Sequence, residues 1–210
     1  RDLHSFPTRR SSDLEPDGFT AFHSLLADAL LIGKGSGCYD RASFVVGKNG
    51  KMEIGEFNIL NGSTFICNNY IATGDHCMFA WGSVVTDSWI DNKNMTVQQK
   101  RTLLEYAAKD PARVMPVNSI SKAIIIEDNV WVGFDAIILP GVKLGRGCIV
   151  GSKSVITENI PPYAIVAGNP AKIIRYLKED DTEDARYFAF KEYSAGSRSE
   201  ERRVGKECRS

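Results

Sequence analysis

A period of six runs without a gap from Ile126 to Pro161, reading IEDNVW, VGFDAI, ILPGVK, LGRGCI, VGSKSV and ITENIP. An aliphatic residue leads each unit, at Ile126, Val132, Ile138, Leu144, Val150 and Ile156. Four residues after each leader stand Val130, Ala136, Val142, Cys148, Ser154 and Ile160, mostly small or β-branched. Spacing of six fits neither a helix of period 3.6 nor a half-buried strand of period 2. Short units that each turn one bulky and one small residue inward predict an all-β solenoid, a parallel β-helix in which three units close a triangular coil of about 18 residues. Successive coils then pair backbone to backbone at the inter-strand spacing of about 4.8 Å, and the leaders pile into an interior column. Each buried Ile, Leu or Val contributes roughly 1.5–3 kcal/mol, much of it offset by the entropy of ordering the coil, so one coil alone cannot fold.

These hexads, with VWVGFDAIILPGV and NIPPYAIVAGNPAKIIR, resemble the hexapeptide-repeat acyltransferases, among them the galactoside and maltose O-acetyltransferases. The likeness extends from about Ile54 to Arg175. Left-handed winding is an implication of that resemblance alone, since it runs against the general right-handed crossover rule. The expected architecture is a left-handed parallel β-helix over 54–170. An N-terminal helix and cap occupy 15–53, an inserted loop with a helix about 91–122, and a helical segment 171–196.

The N-terminal helix is predicted over TAFHSLLADALL, residues 20–31, where Phe22, Leu25, Leu26, Ala29 and Leu30 share one helical face. His23 falls on its polar side. Asn49-Gly50 marks a tight turn, either of a hairpin or of an irregular first coil. From Ile54 the period returns with leaders at Ile54, Leu60 and Ile66. Beyond them the register is read with a one-residue slip, to Thr73, Phe79 and Val85, which turns His76 outward and spares the core an unpaired imidazole. In the excursion after Ile90, Thr96 and Gln99 form a capping box. Val97, Leu103, Leu104, Ala107 and Ala108 give a helical stripe, and Pro111 stops it. Loops this long in compact repeats are usually functional. The resemblance implies that this one reaches a neighbouring subunit and closes over the active site. AKIIRYLK, residues 171–178, reads as a short helix.

Five cysteines without a C-x-x-C suggest neither a disulfide framework nor a zinc site, so no metal is expected. Residues 1–14 carry a net charge of +1 and 197–210 carry +2, leaving −3 for the body, which has no basic stripe for nucleic acid. Both tails are polar and aperiodic, resemble translated adapter sequence and are expected to be disordered. No apolar run approaches a membrane span, and a cytoplasmic protein with no membrane partner is the expectation.

The resemblance implies a homotrimer that transfers an acetyl group from acetyl-CoA to a carbohydrate hydroxyl or amino-sugar nitrogen. The pantetheine arm would lie in the groove between adjacent β-helices. By motif, the cofactor positions are Trp131 and Gly133 in NVWVG, Ser152 and Thr157 in VGSKSVIT, and Lys172 and Arg175 in GNPAKIIR. On the expected helix Lys172 and Arg175 would share a face and reach phosphate together. The sequence departs from the family at the general base, because Val84–Asn94 reads VVTDSWIDNKN with no His. Asp87 or Asp91 is a substitute, although an ordinary carboxylate near pKa 3.9 is a weak base for a hydroxyl. His76 acting across the groove is another, and an amine acceptor needing less help a third. Two rival functions use the same coil. A zinc carbonic anhydrase needs three imidazoles, more than the body of this chain supplies. A trimeric scaffold that keeps the CoA groove without the chemistry is the stronger rival. Ice binding would need Thr ladders, which are missing from the sequence.

Overall fold

The computed structural model describes residues 21–90, 95–109 and 119–177. All of these but Tyr176 and Leu177 belong to one compact unit, Arg1–Arg175. The chain winds as a three-sided parallel β-solenoid, consistent with the left-handed β-helix. Its first face stacks Ala21–Phe22, Ser43–Val46, Thr64–Cys67, Val84–Thr86, Ile137–Ile138 and Val155–Ile156. The second stacks Leu30–Ile32, Lys51–Ile54, Tyr70–Thr73, Ile124–Ile126 and Lys143–Leu144. The third stacks Gly37–Tyr39, Ile59–Asn61, Met78–Phe79, Trp131–Val132, Ile149–Val150, Ala164–Gly168 and Ala171–Tyr176.

Register places every leader of the clean repeats in one of three interior columns. Phe44, Phe65, Val85, Ile138 and Ile156 form the first, and Ile32, Ile54, Thr73, Ile126 and Leu144 the second. Cys38, Leu60, Phe79, Val132, Val150 and Val166 form the third. All but Ile32, which is partly buried, are buried. Phe44 stacks on Phe65 at 5.7 Å, and Phe65 meets Phe79 edge-on at 5.1 Å, so aromatic packing closes the wider early coils. The second positions Val130, Ala136, Val142, Cys148, Ser154 and Ile160 are buried as well.

The slipped register at Thr73, Phe79 and Val85 is the observed one, and His76 stands exposed. Gly35, Phe57, His76, Asn129, Gly147 and Tyr163 all take left-handed φ, from 54° to 74°, at the same corner between the second and third faces. Behind that corner the buried Asn58 amide donates to Gly74 O at 2.9 Å and accepts from Cys77 N at 2.6 Å. Its amide also donates to Thr73 Oγ1 at 3.3 Å. That bond satisfies the one hydroxyl among the columns' occupants.

Three expectations are corrected, and one left open is decided. Residues 21–32 form two strands, Ala21–Phe22 and Leu30–Ile32, rather than a helix, so the solenoid begins well before residue 54. Pairing of Ala21 with Val45 and of Leu30 with Met52 satisfies an otherwise open sheet edge, and Leu25 and Leu26 are left exposed at the corner. Segment 171–176 is a strand beside Ala164–Gly168 rather than a helix. The leader in the first column is Phe65, not Ile66, because a shift of one residue turns Ile66 outward. Asn49-Gly50 belongs to an irregular coil, since Ser43–Val46 and Lys51–Ile54 lie on different faces and pair with different strands.

The excursion leaves by Ser88–Ile90 and returns by Ser119–Ser121, an antiparallel pair with Trp89 opposite Ile120. Between them the helix Val97–Lys109 opens on the expected capping box, Gln99 N to Thr96 Oγ1 at 3.2 Å and Thr96 N to Gln99 Oε1 at 2.8 Å. Pro111 and the termini, 1–20 and 178–210, lie outside the described residues, as do residues 15–20 of the expected N-terminal cap. No helix among the described residues is long and apolar enough to cross a membrane.

The interior small positions at the corner from the third face to the first include Ser63, Ser83 and Ser154. Ser154 Oγ accepts from Gly168 N at 3.2 Å, whereas the buried hydroxyls of Ser63 and Ser83 have no partner. A buried unsatisfied hydroxyl costs about 1–3 kcal/mol. Ser83→Ala is therefore expected to raise the urea midpoint, whereas Ile138→Ala lowers stability by about 2–5 kcal/mol. A loss of stability in Ser83→Ala would show that its hydroxyl is partnered.

Candidate functional site

Of the cofactor positions implied by the motifs, all but Thr157 lie on the third face or at its border with the first. Trp131 points outward from the third face and is 47% exposed. In register with it stand Ile59, the 42% exposed Met78, Ile149 and Ile165, so the outer third face carries an apolar strip five coils long. Such a strip suits the largely aliphatic arm of pantetheine. Gly133 turns the corner at its end. A Cβ there would lie 2.7 Å from Ser152 N and 2.9 Å from Ser152 Oγ, so the coil above packs directly on the glycine and any side chain would push the two apart. Ser152 is exposed at that same corner. Thr157 lies at the far end of the strand Val155–Ile156, on the opposite corner of the first face, and is not brought together with the others.

Lys172 and Arg175 are both exposed on Ala171–Tyr176, at the end of the third face's strand order. On a strand, residues three apart point to opposite sides. The shared face expected of a helix is therefore replaced by one cation on each side.

Asp87 is fully buried at the root of the excursion. Its Oδ1 accepts from Asn68 N at 2.9 Å and its Oδ2 from Asn69 N at 2.7 Å. Its carbonyl accepts from Lys122 N at 2.8 Å, and Asn68 Nδ2 donates to Ser88 Oγ at 2.6 Å. The residue thus ties the corner of the preceding coil to the stem, its carboxylate holding Asn68 and Asn69 and its main-chain carbonyl holding Lys122 just after the returning strand. Each oxygen accepts from a backbone donor and the side chain is fully buried, an arrangement that holds a turn and does not present the carboxylate to an acceptor in solution. Asn68 and Asn69 were not legible as its partners, because they lie eighteen or nineteen residues away and meet it only through coil stacking. Asp91 lies outside the described residues.

His76 is exposed on the corner between the second and third faces, its ring stacked on Phe57 at 5.4 Å and 17°. Stacking and a shared left-handed backbone fix the direction in which the imidazole is offered. The thiols of Cys67, Cys77 and Cys148 are unsuited to nucleophilic work. Burial pushes Cys77 and Cys148 up to about 12 and raises Cys67 further, with the Asp87 carboxylate adding to the shift at Cys67. No group of three metal-ligating side chains stands together among the described residues.

Residues 123–158 match the family described as bacterial transferase hexapeptide, six repeats. A chloramphenicol acetyltransferase from Klebsiella aerogenes is 42% identical over 78 residues, covering 36% of this chain and 37% of that protein. The chain spans about a third of the length of the curated relatives it matches. Among solved structures, a hexapeptide-repeat acetyltransferase from Vibrio cholerae O1 biovar eltor, complexed with acetyl coenzyme A, superimposes with a TM-score of 0.56. It is 25% identical and covers 70% of this chain and 71% of that one. A variant of AntD, an N-acyltransferase from Bacillus cereus in complex with dTDP and coenzyme A, shares the fold, with a TM-score of 0.62. Its identity is 20%, over 80% of this chain and 85% of that one.

Asp87→Asn separates the two roles open to this carboxylate. As a clamp, it should lose about 1.5–3 kcal/mol of stability, the worth of hydrogen bonds to a charged group, in a denaturant titration. Unchanged stability with lost transfer would instead mark it as the base.

Proposed function

We propose that this chain is an acyl-CoA-dependent acyltransferase that moves an acetyl or related acyl group directly to a sugar hydroxyl or amino-sugar nitrogen, and that it works as a homotrimer. The reading is carried by one observation. The apolar strip through Trp131, the Gly133–Ser152 corner and the cationic strand Ala171–Tyr176 all border one face of the solenoid, within or next to the segment that carries the bacterial transferase hexapeptide repeats.

Acyl-CoA supplies the activated thioester carbon. The chain's part is to hold the pantetheine arm along the strip, to meet phosphate with Lys172 or Arg175, and to receive the proton that the acceptor loses as it attacks. Thr157, at the far corner, belongs to a cofactor contact only if a neighbouring copy's groove passes there. Since Asp87 is committed to backbone N–H groups, His76 is the better base, offered across the groove from a neighbouring copy, and Asp87 positions the stem of the excursion. Removing a general base costs typically 10²–10⁴-fold in rate. The commitment of Asp87, together with a stretch from Val84 to Asn94 lacking His, favours the second reading, a scaffold that binds coenzyme A without transfer.

Thiol release from acetyl-CoA, measured against a panel of sugars and amino sugars, tests the reading. Release with at least one acceptor supports it, and bound coenzyme A with no release for any acceptor gives the scaffold. His76→Asn should lower kcat at least a hundredfold while leaving coenzyme A affinity unchanged. Because Lys172 and Arg175 face opposite ways, their single Ala variants should differ. One should weaken coenzyme A binding, most at low salt, and the other leave it near wild type. Equal losses would return the two to a shared phosphate site.

A further inference from the structure

Along the corner from the third face to the first, directly beside Gly133, the solenoid carries a feature that the transfer chemistry leaves unused. Trp81 and Phe134 are 42% and 48% exposed, yet their rings are held parallel, with centroids 5.7 Å apart and an interplanar angle of 11°. The indole is fixed at its other end, where Trp81 Nε1 donates to Asp40 Oδ2 at 2.8 Å. Asp40 belongs to a coil two below that of Trp81, since Gly62 N bonds Tyr39 O and Gly82 N bonds Gly62 O. Gly62 makes this reach possible. A Cβ there would lie 2.8 Å from Trp81 Cδ1, and the residue sits at φ +49°. One coil up, Gly82 at φ +73° leaves the space into which Asp135 Oδ1 leans. The two glycines thus let side chains of the next coil lie down on the edge, the Trp81 ring over Gly62 and the Asp135 carboxylate over Gly82, so that an aromatic pair is flanked by Asp40 at the indole N–H and by Asp135. Among the described residues, Arg41 and Lys153 are the other charged ones at this corner.

Exposed aromatic rings held rigid by a hydrogen bond lose little entropy on binding, and their negative faces attract polarised C–H groups. Ionised carboxylates are strong acceptors for hydroxyl donors. A neutral pyranose has both complements, a C–H face and neighbouring equatorial hydroxyls. We propose that Trp81, Phe134, Asp40 and Asp135 form a pyranose-binding platform, which takes the sugar ring of the acceptor by its apolar face and its hydroxyls by the two carboxylates. Its assignment to the acceptor rests on the transferase reading above; its capacity to bind a pyranose does not.

The test is a titration of the full chain with methyl glycopyranosides and maltose, followed by indole emission and saturation-transfer NMR, with coenzyme A affinity measured in parallel by calorimetry. A pyranose should bind the wild type and change its emission. Trp81→Leu should abolish that binding. Asp40→Asn, which keeps an acceptor for the indole N–H but removes the charge, should weaken it tenfold or more, and coenzyme A affinity should stay within twofold in both variants. Should Trp81→Leu not fold, Asp40→Asn and Phe134→Leu carry the test. Failure of every pyranose to bind, or binding undiminished in these variants, overturns the platform. Pyranose binding that depends on Trp81 in a chain with no affinity for coenzyme A would overturn the transferase reading and leave the platform standing.

Discussion

Everything in this molecule rests on hydrogen bonds made from one coil to the next. Each strand of two to six residues is too short to stand alone, and its N–H and C=O groups are satisfied only when the coils above and below hold the same register. Register in turn decides which side chains face inward, because one residue of slip exchanges the two faces. Backbone pairing and the interior columns therefore specify each other. The result is a rod whose outer corners repeat at a constant pitch, and side chains far apart in sequence meet there, as Asp40, Trp81 and Phe134 do.

The later coils were legible because they approach the minimum. Ile138 to Ile156 is 18 residues, with one inward residue per short strand. The earlier coils are longer, 21 residues from Phe44 to Phe65 and 19 from Leu60 to Phe79. Their strands of four carry two inward residues, such as Phe65 and Cys67 or Met52 and Ile54. Two inward residues at spacing two inside a coil of uneven length blur a period of six, which is how Ile66 came to stand in for Phe65. In residues 21–32 two short strands joined by a corner that leaves Leu25 and Leu26 exposed imitated a helical stripe, and pairing with the coil above decided the matter in favour of strands. The slip at Thr73 was readable because only one choice kept an imidazole out of the core.

The site divides along a similar line. Motif positions in the clean hexads, Trp131, Gly133 and Ser152, fall together because the regular period sets one coil directly on the next and Ser152 lands over Gly133. Relations that cross the irregular earlier coils left no trace in local spacing. Nothing near Asp87 in sequence announces that its two oxygens are claimed by Asn68 and Asn69, and a carboxylate beside a missing His looks like a replacement base until its partners are seen. Secondary structure also changed a functional inference: the same two cations that share a side on a helix are divided on a strand.

The stem of Ser88–Ile90 and Ser119–Ser121 has one more implication. The coil ladder closes across it, with Val85 stacked on Ile138 as though the intervening residues were absent. Loop-closure entropy grows only slowly with length, so the segment between the two stem strands can be lengthened, shortened or exchanged at small cost to the rod. The clamp at Asp87 sets the direction in which whatever replaces it emerges. A scaffold built this way separates inheritance from innovation: the core can stay constant over many descendants while one cassette is rewritten to meet new molecules.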